Sequence, residues 1–583
     1  MSAYQAPVSD MRFVLEELAG FARLEAEAGF VDADPEMVAP ILEEANKLAS
    51  QVIAPLNRSG DEQGVHLDEN GKVVVADGFA EAYRQYVEGG WAGLQFAAQW
   101  GGQGLPFSLA IPVQEMWHSA NLSWGLCPLL SQGAAEAVSV NASDALRERY
   151  LPKLVSGEWT GTMNLTEPQA GSDLSDIKTR AVPEGDHYRI TGQKIFITWG
   201  DHEMAENVVH LVLARLPDAP AGVRGISLFL VPKYLLNEDG SLGERNDCRA
   251  FSLEKKLGIH ACPTCVMSFG DNDGAVGYLI GEENKGLACM FTMMNNARLT
   301  VGLQGVAVAE RACQQALAYA QERVQGIAPG YTERGPISRH PDVQRMLMTM
   351  QALTEAARSL AYVGCHSVDW AHSGHPSADY HQRRVGLLTP IIKGWATEIA
   401  QEVTSLNIQC HGGMGFIEET GAAQLARDAR ILPIYEGTNG IQAIDLAGRK
   451  TVYDDGHAMN ELLAEMQEGL ARVIADGRLD ERYTRQITEA LAALKQGNDD
   501  LVALKDDPAA VQGRAFPYLL LAGVVIGGYY SLLAADRSSA AQGGLDAEFY
   551  QRKNRTALFY LDQILPRYLG YAAMLAAPVA TAV

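Results

Sequence analysis

The segment Tyr188-Arg-Ile-Thr-Gly-Gln-Lys-Ile-Phe-Ile-Thr198 alternates along its length and is rich in β-branched side chains. This pattern predicts a half-buried β-strand. Two apolar runs, Val208–Leu213 and Ile226–Val231, predict further strands. The connections between these runs do not resemble βαβ units, so a doubly wound nucleotide-binding sheet is not expected. We therefore predict a central β-barrel or β-sandwich domain over residues 159–280.

Helical patterns flank this β region on both sides. Met11–Leu24 and Glu36–Val52 place apolar residues three and four positions apart, and Leu287–Arg323 is a long amphipathic run. The predicted fold class is α+β and mostly α. Its predicted parts are an N-terminal helical domain over 1–158, the β domain over 159–280, a C-terminal helical bundle over 281–450 and an additional C-terminal helical domain over 451–583.

Charge and cysteine usage narrow the class of protein. The formal charge of −24 disfavours nonspecific binding to nucleic acid or to an anionic membrane. Cys262 and Cys265 form one Cys-Pro-Thr-Cys, but no second pair follows at zinc-ribbon spacing, so no metal site is predicted. The first seven residues lack a basic segment followed by an apolar run. We expect a cytoplasmic protein with reduced thiols.

One apolar segment is long enough to span a bilayer. Ala515–Ala535 carries no charge over 21 residues. Pro517 near its start, the pair Gly527-Gly528 and the absence of a flanking Lys/Arg cluster argue against a membrane span. The segment is interpreted as a buried helix of a bundle, with peripheral membrane contact as the alternative.

A single carboxylate lies in the segment Ile431-Leu-Pro-Ile-Tyr-Glu-Gly-Thr-Asn-Gly-Ile-Gln-Ala-Ile444. The neighbours of Glu436 are apolar, aromatic or uncharged, so lost hydration should raise its pKa and its basicity. A carbon-acid base near neutral pH needs such a setting. The alternative is a turn in which Glu436 caps a helix or forms an ion pair with it.

Small and hydroxyl residues are concentrated in Thr162-Met-Asn-Leu-Thr-Glu-Pro-Gln-Ala-Gly-Ser-Asp173, where helices give way to strands. Exposed backbone N–H groups and hydroxyls in such a loop suit a flat polar ring or a phosphate. The same composition is also typical of a loop closed by Asx and Ser turns.

Within that loop, Thr166-Glu-Pro-Gln-Ala-Gly-Ser-Asp173 resembles the N-terminal signature of the flavin-dependent acyl-CoA dehydrogenases. Further segments occur in that family's order: Lys194-Ile-Phe-Ile-Thr198, Arg298 at the start of a long helix, Gln409-Cys-His-Gly-Gly-Met-Gly415, Arg427-Asp-Ala429 and Ile434-Tyr-Glu-Gly-Thr438. The resemblance covers roughly residues 35–450. Each segment alone is a weak signal, but the ordered set is specific.

The resemblance implies a role for particular residues. FAD would be the cofactor and Glu436 the catalytic base that takes the α-proton of an acyl-CoA thioester. The remaining implied contacts are Leu165, Thr166, Phe196 and Thr198 along the isoalloxazine ring, Arg323, Gln409 and Gly413 at the pyrophosphate and adenosine end, Thr438 at the flavin, Ser172 at the CoA moiety, Tyr435 at the thioester and Arg298 near the base.

The sequence also departs from the family pattern. Arg323 is followed by Val-Gln-Gly rather than Lys-Thr-Phe-Gly, which makes its phosphate contact less secure. Phe196 stands where a Trp is common, and Gly440 where a flavin-contacting Gln or Glu is frequent. Some members carry the base on the helix that contains Arg298. The equivalent segment Met294–Arg298 has no carboxylate, which favours Glu436.

The implied activity is α,β-dehydrogenation of an acyl-CoA to a trans-2-enoyl-CoA, with the β-hydride passing to flavin N5 and the electrons then to an electron-transferring flavoprotein. We expect a medium- or long-chain straight acyl-CoA as substrate. The alternatives are a 3-methylmercaptopropionyl-CoA dehydrogenase, an acyl-CoA oxidase and a noncatalytic flavoprotein of the same fold. The extension after residue 450 resembles a longer bacterial branch of the family, and a homodimer is expected.

Overall fold

The computed structural model describes residues 3–30, 34–540 and 545–578. In this structure helices give way to strands near residue 160, as the sequence predicts. The α-helices are α1 Val8–Phe13, α2 Ala22–Ala28, α3 Val38–Leu48, α4 Leu56–Gln63, α5 Phe79–Glu88, α6 Phe107–Ala120, α7 Leu122–Asn141, α8 Asp144–Ser156, α9 Gly286–Glu322, α10 Pro341–His372, α11 Ala378–His411, α12 Ala422–Ala429, α13 Asn439–Ala447, α14 His457–Asp476, α15 Glu481–Ala503, α16 Pro508–Ala540, α17 Ala547–Phe559 and α18 Arg567–Ala576.

The strands lie mainly between residues 159 and 280. They are β1 His66–Leu67, β2 Val73–Val74, β3 Trp159–Asn164, β4 Arg180–Glu184, β5 His187–Thr198, β6 Asn207–Ala214, β7 Ser227–Pro232, β8 Tyr234–Leu236, β9 Leu242–Arg245, β10 Cys248–Leu253, β11 Thr264–Phe269 and β12 Ala275–Ile280. The fold class is therefore α+β and mostly α, as predicted, with a curled central sheet.

Eight strands form the main sheet, in the order β10-β11-β5-β12-β7-β6-β3, with β4 also paired to β5. β3 and β6 run parallel, and the other pairs in this sheet are antiparallel. Every residue of β6 and β7 is buried, which explains why these two strands are nearly continuous apolar runs, whereas β5 is buried only at Ile190, Lys194 and Ile197. The topology agrees with the prediction that the sheet is not built from βαβ units.

The chain falls into two compact units, neither of which is continuous in sequence. The first unit comprises residues 1–46, 106–119 and 298–583, and the second comprises residues 47–105 and 120–297. The division into four sequence-contiguous domains remains a prediction.

The uncharged segment Ala515–Ala535 belongs to α16. By length and hydropathy α16 could cross a membrane, but its most apolar 18-residue window is 89% buried within the protein. Two of its glycines, Gly523 and Gly527, lie one helical turn apart against Trp395 of α11, and an added Cβ at Gly523 would lie 2.2 Å from Trp395 Cγ. Close packing of this kind confirms that the segment is a buried helix. Residues 541–544 lie outside the described residues.

A buried ion cluster connects distant parts of the first unit. Arg358 of α10 is 1% exposed and binds Asp10 near the N-terminus at 2.6 Å, Glu115 of α6 at 2.7 Å and Glu310 of α9 at 2.8 Å. A guanidinium that presents several N–H donors in a fixed plane can satisfy three carboxylates at once. The cluster fixes four sequence-distant segments around one side chain.

Lys553 brings the C-terminal helix α17 into the same cluster. Its ammonium lies 2.6 Å from Asp10 and 2.9 Å from Glu355, and all three side chains are buried. Burial opposes the charge on Lys553, but the two carboxylates raise its pKa above the ordinary value. An ion pair held in this way becomes strongly destabilising when one partner is removed, because the remaining charges stay buried.

We predict that Lys553→Met lowers the free energy of unfolding by about 3–5 kcal/mol, because Asp10 and Glu355 lose their shared cation. Urea unfolding monitored by circular dichroism measures this change. Lys495→Met is the matched control, since Lys495 pairs with Asp499 on the surface and its side chain is 48% exposed. The control should change stability by less than about 1 kcal/mol. Equal effects of the two substitutions would contradict the role given to the cluster.

Candidate active site

The loop between α12 and α13 carries Glu436 in an unusual backbone conformation. Glu436 has φ +55° and the following Gly437 has φ +83°. A left-handed conformation at a non-glycine residue costs on the order of 1–2 kcal/mol. A Cβ at Gly437 would lie 2.7 Å from the side-chain nitrogen of Gln442. The loop therefore requires glycine at 437 and holds Glu436 in a strained geometry, as is common at functional sites.

Glu436 does not cap the helix that follows it. The N-cap of α13 is Thr438, whose hydroxyl oxygen accepts a hydrogen bond from the backbone N–H of Ile441 at 3.3 Å. The carboxylate of Glu436 forms no hydrogen bond or ion pair with any residue that the structure describes. The alternative of a capping or ion-paired glutamate is therefore wrong, because a neighbouring hydroxyl already caps the helix.

The surroundings of Glu436 make it a base near neutral pH. Burial raises its pKa to about 7, and the nearby cations Arg298 and Lys393 act in the opposite direction. Arg298 is itself 7% exposed, and its Nε has no hydrogen-bond partner among the described residues. The structure therefore brings together Arg298 and Glu436, both of which the resemblance assigned to the site.

In the loop that carries Glu436, one backbone N–H is available as a donor, and two backbone carbonyls are fixed by hydrogen bonds. Within residues 3–30, 34–540 and 545–578, nothing accepts a hydrogen bond from the N–H of Glu436. The carbonyl groups of Glu436 and Gly437 instead accept from Gln442 Nε2 at 3.2 and 3.3 Å. Lys393 Nζ also donates to Gly437 O at 2.8 Å. The loop is held through its carbonyls, which leaves one N–H available to a ligand.

Tyr435, assigned to the thioester region by the resemblance, is partly buried beside Glu436. Its hydroxyl donates a hydrogen bond to the side-chain oxygen of Gln304 on α9. Gln304 is fully buried, and its side-chain nitrogen has no partner among the residues described. The hydrogen bond to Gln304 therefore ties the phenol of Tyr435 to α9.

In the second unit, a buried ion pair fixes the Thr166-Glu-Pro loop to strand β5. Lys194 Nζ lies 2.8 Å from Glu167 Oε1 and donates to Leu165 O at 3.0 Å. Next to it, the N–H of Ile195 donates to Thr166 O at 2.9 Å. The side chains of Lys194 and Glu167 are 0% and 3% exposed. The pair therefore positions Leu165 and Thr166 relative to the strand that carries Phe196.

Glu167 is ionised through a dense set of donors. Besides Lys194, it accepts from the N–H of Lys178 at 2.6 Å and from the hydroxyl of Thr179 at 2.6 Å. Burial opposes the charge, but Lys194 and these donors lower the pKa of Glu167 to about 2. Burial in turn lowers the pKa of Lys194 to about 8, against the attraction of Glu167. Both groups are therefore charged at neutral pH.

Phe196 presents an exposed aromatic face at the edge of the same loop. It is 59% exposed, whereas Ile197 beside it is 2% exposed, and its backbone has φ +61°. The ladder between β5 and β11 is irregular at this point, where Cys265 pairs with Ile197 and Met267 with Lys194. A strained strand residue that exposes a ring fits contact with a flat aromatic group such as the isoalloxazine of FAD.

Thr166 offers polar groups to the same kind of ligand. Neither its N–H nor its hydroxyl has a hydrogen-bond partner in the part of the chain that the structure describes. Thr198 is partly buried on β5, two residues beyond Phe196. These four positions, Leu165, Thr166, Phe196 and Thr198, lie in the second unit and have the chemistry expected of a flavin contact.

The remaining predicted residues lie in exposed loops and at exposed helix ends. Ser172 is exposed in the loop after Thr166, and Arg323 is exposed directly after α9. Gln409 is exposed in the last turn of α11, and Gly413 lies in the exposed loop that follows, where Gly412 takes φ +60°. In the first unit, Arg323, Gln409 and Gly413 are placed on the surface, as a bound dinucleotide would need.

Two buried lysines were not identified from the sequence. Lys194 lies within β5, and Lys393 lies in the middle of α11. A signal for Lys393 existed, because it is the one charged residue between Arg384 and Glu398 in an otherwise uncharged segment. The ammonium of a lone lysine in an uncharged helical segment is either buried or extended to the solvent. The sequence does not determine which of the two occurs.

Comparison with known proteins finds domains of one family along most of the chain. The chain matches the acyl-CoA dehydrogenase N-terminal domain over residues 38–158, the middle domain over 162–272 and the C-terminal domain over 284–450. Residues 462–583 match a domain described as acetyl-CoA dehydrogenase C-terminal like.

Individual relatives are similar over nearly the whole chain. The chain is 48% identical to a 3-methylmercaptopropionyl-CoA dehydrogenase of Ruegeria pomeroyi, with 96% of each chain covered. It is 36% identical to a butyryl-CoA dehydrogenase of Syntrophomonas wolfei, with 90% of this chain and 88% of the relative covered. An acyl-CoA dehydrogenase of Bacillus anthracis, solved with FAD, has the same fold with a TM-score of 0.72 and 21% identity, covering 94% of this chain and 89% of that one.

The chain belongs to the acyl-CoA dehydrogenase family. It is an FAD-dependent enzyme of that class, and its C-terminal region carries the extra domain of the longer members.

We predict that Glu167→Gln makes the second unit less stable at pH 7 and less sensitive to acid. The folded pKa of Glu167 is lowered from 4.5 to about 2, so the stability that its charge contributes is present above about pH 4.5 and is lost as the pH falls towards 2. The loss at pH 7 is about 3 kcal/mol. Thermal unfolding midpoints between pH 3 and 7 measure it. Glu148→Gln, at an exposed position of α8, is the control and should follow the wild type. Parallel profiles for the two variants would contradict the prediction.

Proposed function

We propose that this enzyme catalyses α,β-dehydrogenation of a short acyl-CoA thioester, with Glu436 as the base that removes the α-proton. The observation that carries the proposal is the environment of Glu436. It is a partly buried carboxylate without an ion pair, its pKa is raised to about 7, and its own N–H is available to a ligand.

Proton transfer from the α-carbon needs a proton acceptor and a hydrogen-bond donor for the charge that develops on the substrate, and the loop offers both. The carboxylate accepts the α-proton, and a raised pKa makes it basic enough to do so near neutral pH. As the C–H bond breaks, negative charge develops on the thioester oxygen, and the N–H of Glu436 is proposed to donate a hydrogen bond to it. When bound, FAD supplies the acceptor for the β-hydride. Protein groups supply the position, the proton acceptor and the electrostatics.

The proposed binding residues follow the placement described above. Leu165, Thr166, Phe196 and Thr198 are proposed to contact the isoalloxazine ring, with Thr438 as a further flavin contact. Arg323, Gln409 and Gly413 are proposed to hold the pyrophosphate and adenosine end. Ser172 and Tyr435 are proposed to contact the substrate, and Arg298 to set the charge near the base. The support is the exposure of these groups and their match to the family's segments.

The substrate proposal favours a short acyl chain. The relatives at 48% and 36% identity are described as acting on 3-methylmercaptopropionyl-CoA and butyryl-CoA. Both acyl groups are short, whereas the sequence led us to expect a medium or long chain. We therefore propose 3-methylmercaptopropionyl-CoA or a straight acyl-CoA of similar length.

The proposed setting of the reaction follows the family. An electron-transferring flavoprotein is proposed as the electron acceptor and a homodimer as the assembly. A cytoplasmic location is proposed, and it is supported by the burial of α16 within the protein. No nucleic-acid partner is proposed, given the formal charge of −24.

We predict that Glu436→Gln lowers kcat about 10²–10⁴-fold, because glutamine cannot accept the α-proton. Reduction of an artificial electron acceptor with butyryl-CoA measures turnover, and absorbance of the bound flavin measures cofactor content, which should be unchanged. Glu468→Gln, at an exposed position of α14, is the matched control and should keep wild-type turnover. Near-wild-type turnover of Glu436→Gln would exclude the assignment of the base.

We predict that kcat/KM is highest for short acyl-CoA esters and at least about tenfold lower for palmitoyl-CoA. The measurement is kcat/KM for a panel of five substrates: butyryl-, pentanoyl-, octanoyl-, palmitoyl- and 3-methylmercaptopropionyl-CoA. Pentanoyl-CoA is the matched control for the sulfur compound, since both acyl groups have the same number of chain atoms. A preference for the sulfur ester over pentanoyl-CoA would show recognition of the thioether. A maximum at palmitoyl-CoA would contradict the short-chain proposal.

A further inference from the structure

A fully buried lysine supports the loop that carries the base. Lys393 of α11 has 0% exposure, and its ammonium donates to Gly437 O at 2.8 Å and to Asn439 Oδ1 at 2.9 Å. These two acceptors lie one and three residues after Glu436. The ammonium therefore connects the glycine at positive φ to the first residue of α13, across the turn that sets the direction of the Glu436 side chain.

Asn439 is itself fixed by the same helix. Its Nδ2 donates to Thr397 Oγ1 at 2.9 Å, to Gly394 O at 3.2 Å and to Glu398 Oε1 at 2.8 Å. One helical turn of α11 thus holds both the backbone of the loop and the start of α13. Since the acceptor of Lys393 cannot shift without breaking these bonds, the ammonium has one defined position.

A neutral donor would satisfy Gly437 O, so the choice of an ammonium needs a further reason. Burial of a lysine is unfavourable unless nearby groups compensate its charge. Lys393 has no carboxylate within ion-pair distance among the described residues. Burial lowers its pKa to about 7, while Glu436 and Glu398 favour its charge and Arg298 opposes it.

The other charges around the base are few. Arg298 of α9 faces Glu436, and behind it lies Asp445 of α13, which is paired with Arg449 at 2.5 Å. Glu398 of α11 faces Lys393. Of the two cations that favour the ionised form of Glu436, Lys393 is the one that is also bonded to the loop.

We propose that Lys393 is a positioning residue for the base: its side-chain nitrogen fixes the Gly437 carbonyl and Asn439, and in its protonated form it favours the ionised carboxylate of Glu436. This inference rests on the proposed function of Glu436. It assigns two separable effects to one side chain, a hydrogen bond that orients the loop and a charge that favours the carboxylate.

The test compares Lys393→Met and Lys393→Gln in the FAD-loaded enzyme. The pH dependence of kcat/KM with butyryl-CoA reports the ionisation of the base in the free enzyme. In both variants the acidic limb should move up by about one pH unit, because the positive charge is gone. Lys393→Gln can still donate to Gly437 O, so its rate at high pH should lie closer to wild type than that of Lys393→Met.

Lys553→Met is the matched control, since it removes another buried ammonium of the same unit that contacts Asp10 and Glu355 instead. Its acidic limb should coincide with that of the wild type even though its stability falls. An unmoved limb in both Lys393 variants, or an equal shift in the control, would overturn the proposal. Loss of flavin and fold in both Lys393 variants would also overturn it, because it would assign Lys393 to folding alone.

The test of Lys393 can be distinguished from the test of the proposed function. If the wild type fails to oxidise every acyl-CoA of the panel, the proposed function fails before Lys393 is tested. If the wild type is active and Glu436→Gln is inactive, the function stands, and the pH profiles decide the role of Lys393 alone.

Discussion

Desolvation of charge is the constraint on which both units depend. Each unit buries ionised side chains, and each must offset the loss of hydration by geometry. Arg358 does so with three carboxylates from distant segments, and Lys194 does so with Glu167 and a backbone carbonyl. In these two places each buried cation is in direct contact with a carboxylate, so the charges link distant segments of the chain.

Compensation is incomplete at Glu436, and this difference accounts for its raised pKa. Arg298 and Lys393 are near enough to oppose the effect of burial on its pKa, but neither forms an ion pair with it. A tight ion pair would lower the pKa and make the carboxylate a poor base, as happens to Glu167. A carboxylate without any cation would stay protonated. Glu436 lies between these limits, and the strained backbone of its loop keeps its carboxylate apart from Arg298 and Lys393.

The sequence predicted those features that depend on local pattern. Alternation over Tyr188–Thr198 predicted β5, and the apolar run at 515–535 predicted a buried helix because its flanks lack the marks of a membrane span. A raised pKa for Glu436 was expected from its uncharged neighbours in the sequence, and burial raises that pKa to about 7. A local pattern was sufficient in each case because the cause is local.

Other features depend on contacts between distant segments and were not predictable. The helix-cap alternative for Glu436 was compatible with its sequence, and only the hydrogen bond from Ile441 to Thr438 excludes it. The ion cluster around Arg358 joins residues 10, 115, 310 and 358, a separation that no periodicity reveals. The π-helical turns Val14–Ala19 and Ala49–Ile53 end the helices that begin at Val8 and Val38, where the pattern of apolar residues appeared continuous.

Three consecutive residues of α11 connect the C-terminal extension to the loop that carries Glu436. Lys393 donates to the loop after Glu436, Gly394 lies against Leu519 of α16, and Trp395 packs against Gly523 and Gly527 of the same helix. A Cβ at Gly394 would lie 2.6 Å from the Leu519 side chain, so the two helices touch at the level of the lysine. Since adjacent residues on one helix move together, packing on α16 restrains the position of the Lys393 ammonium. The extra domain is thereby part of the support of the loop that holds Glu436.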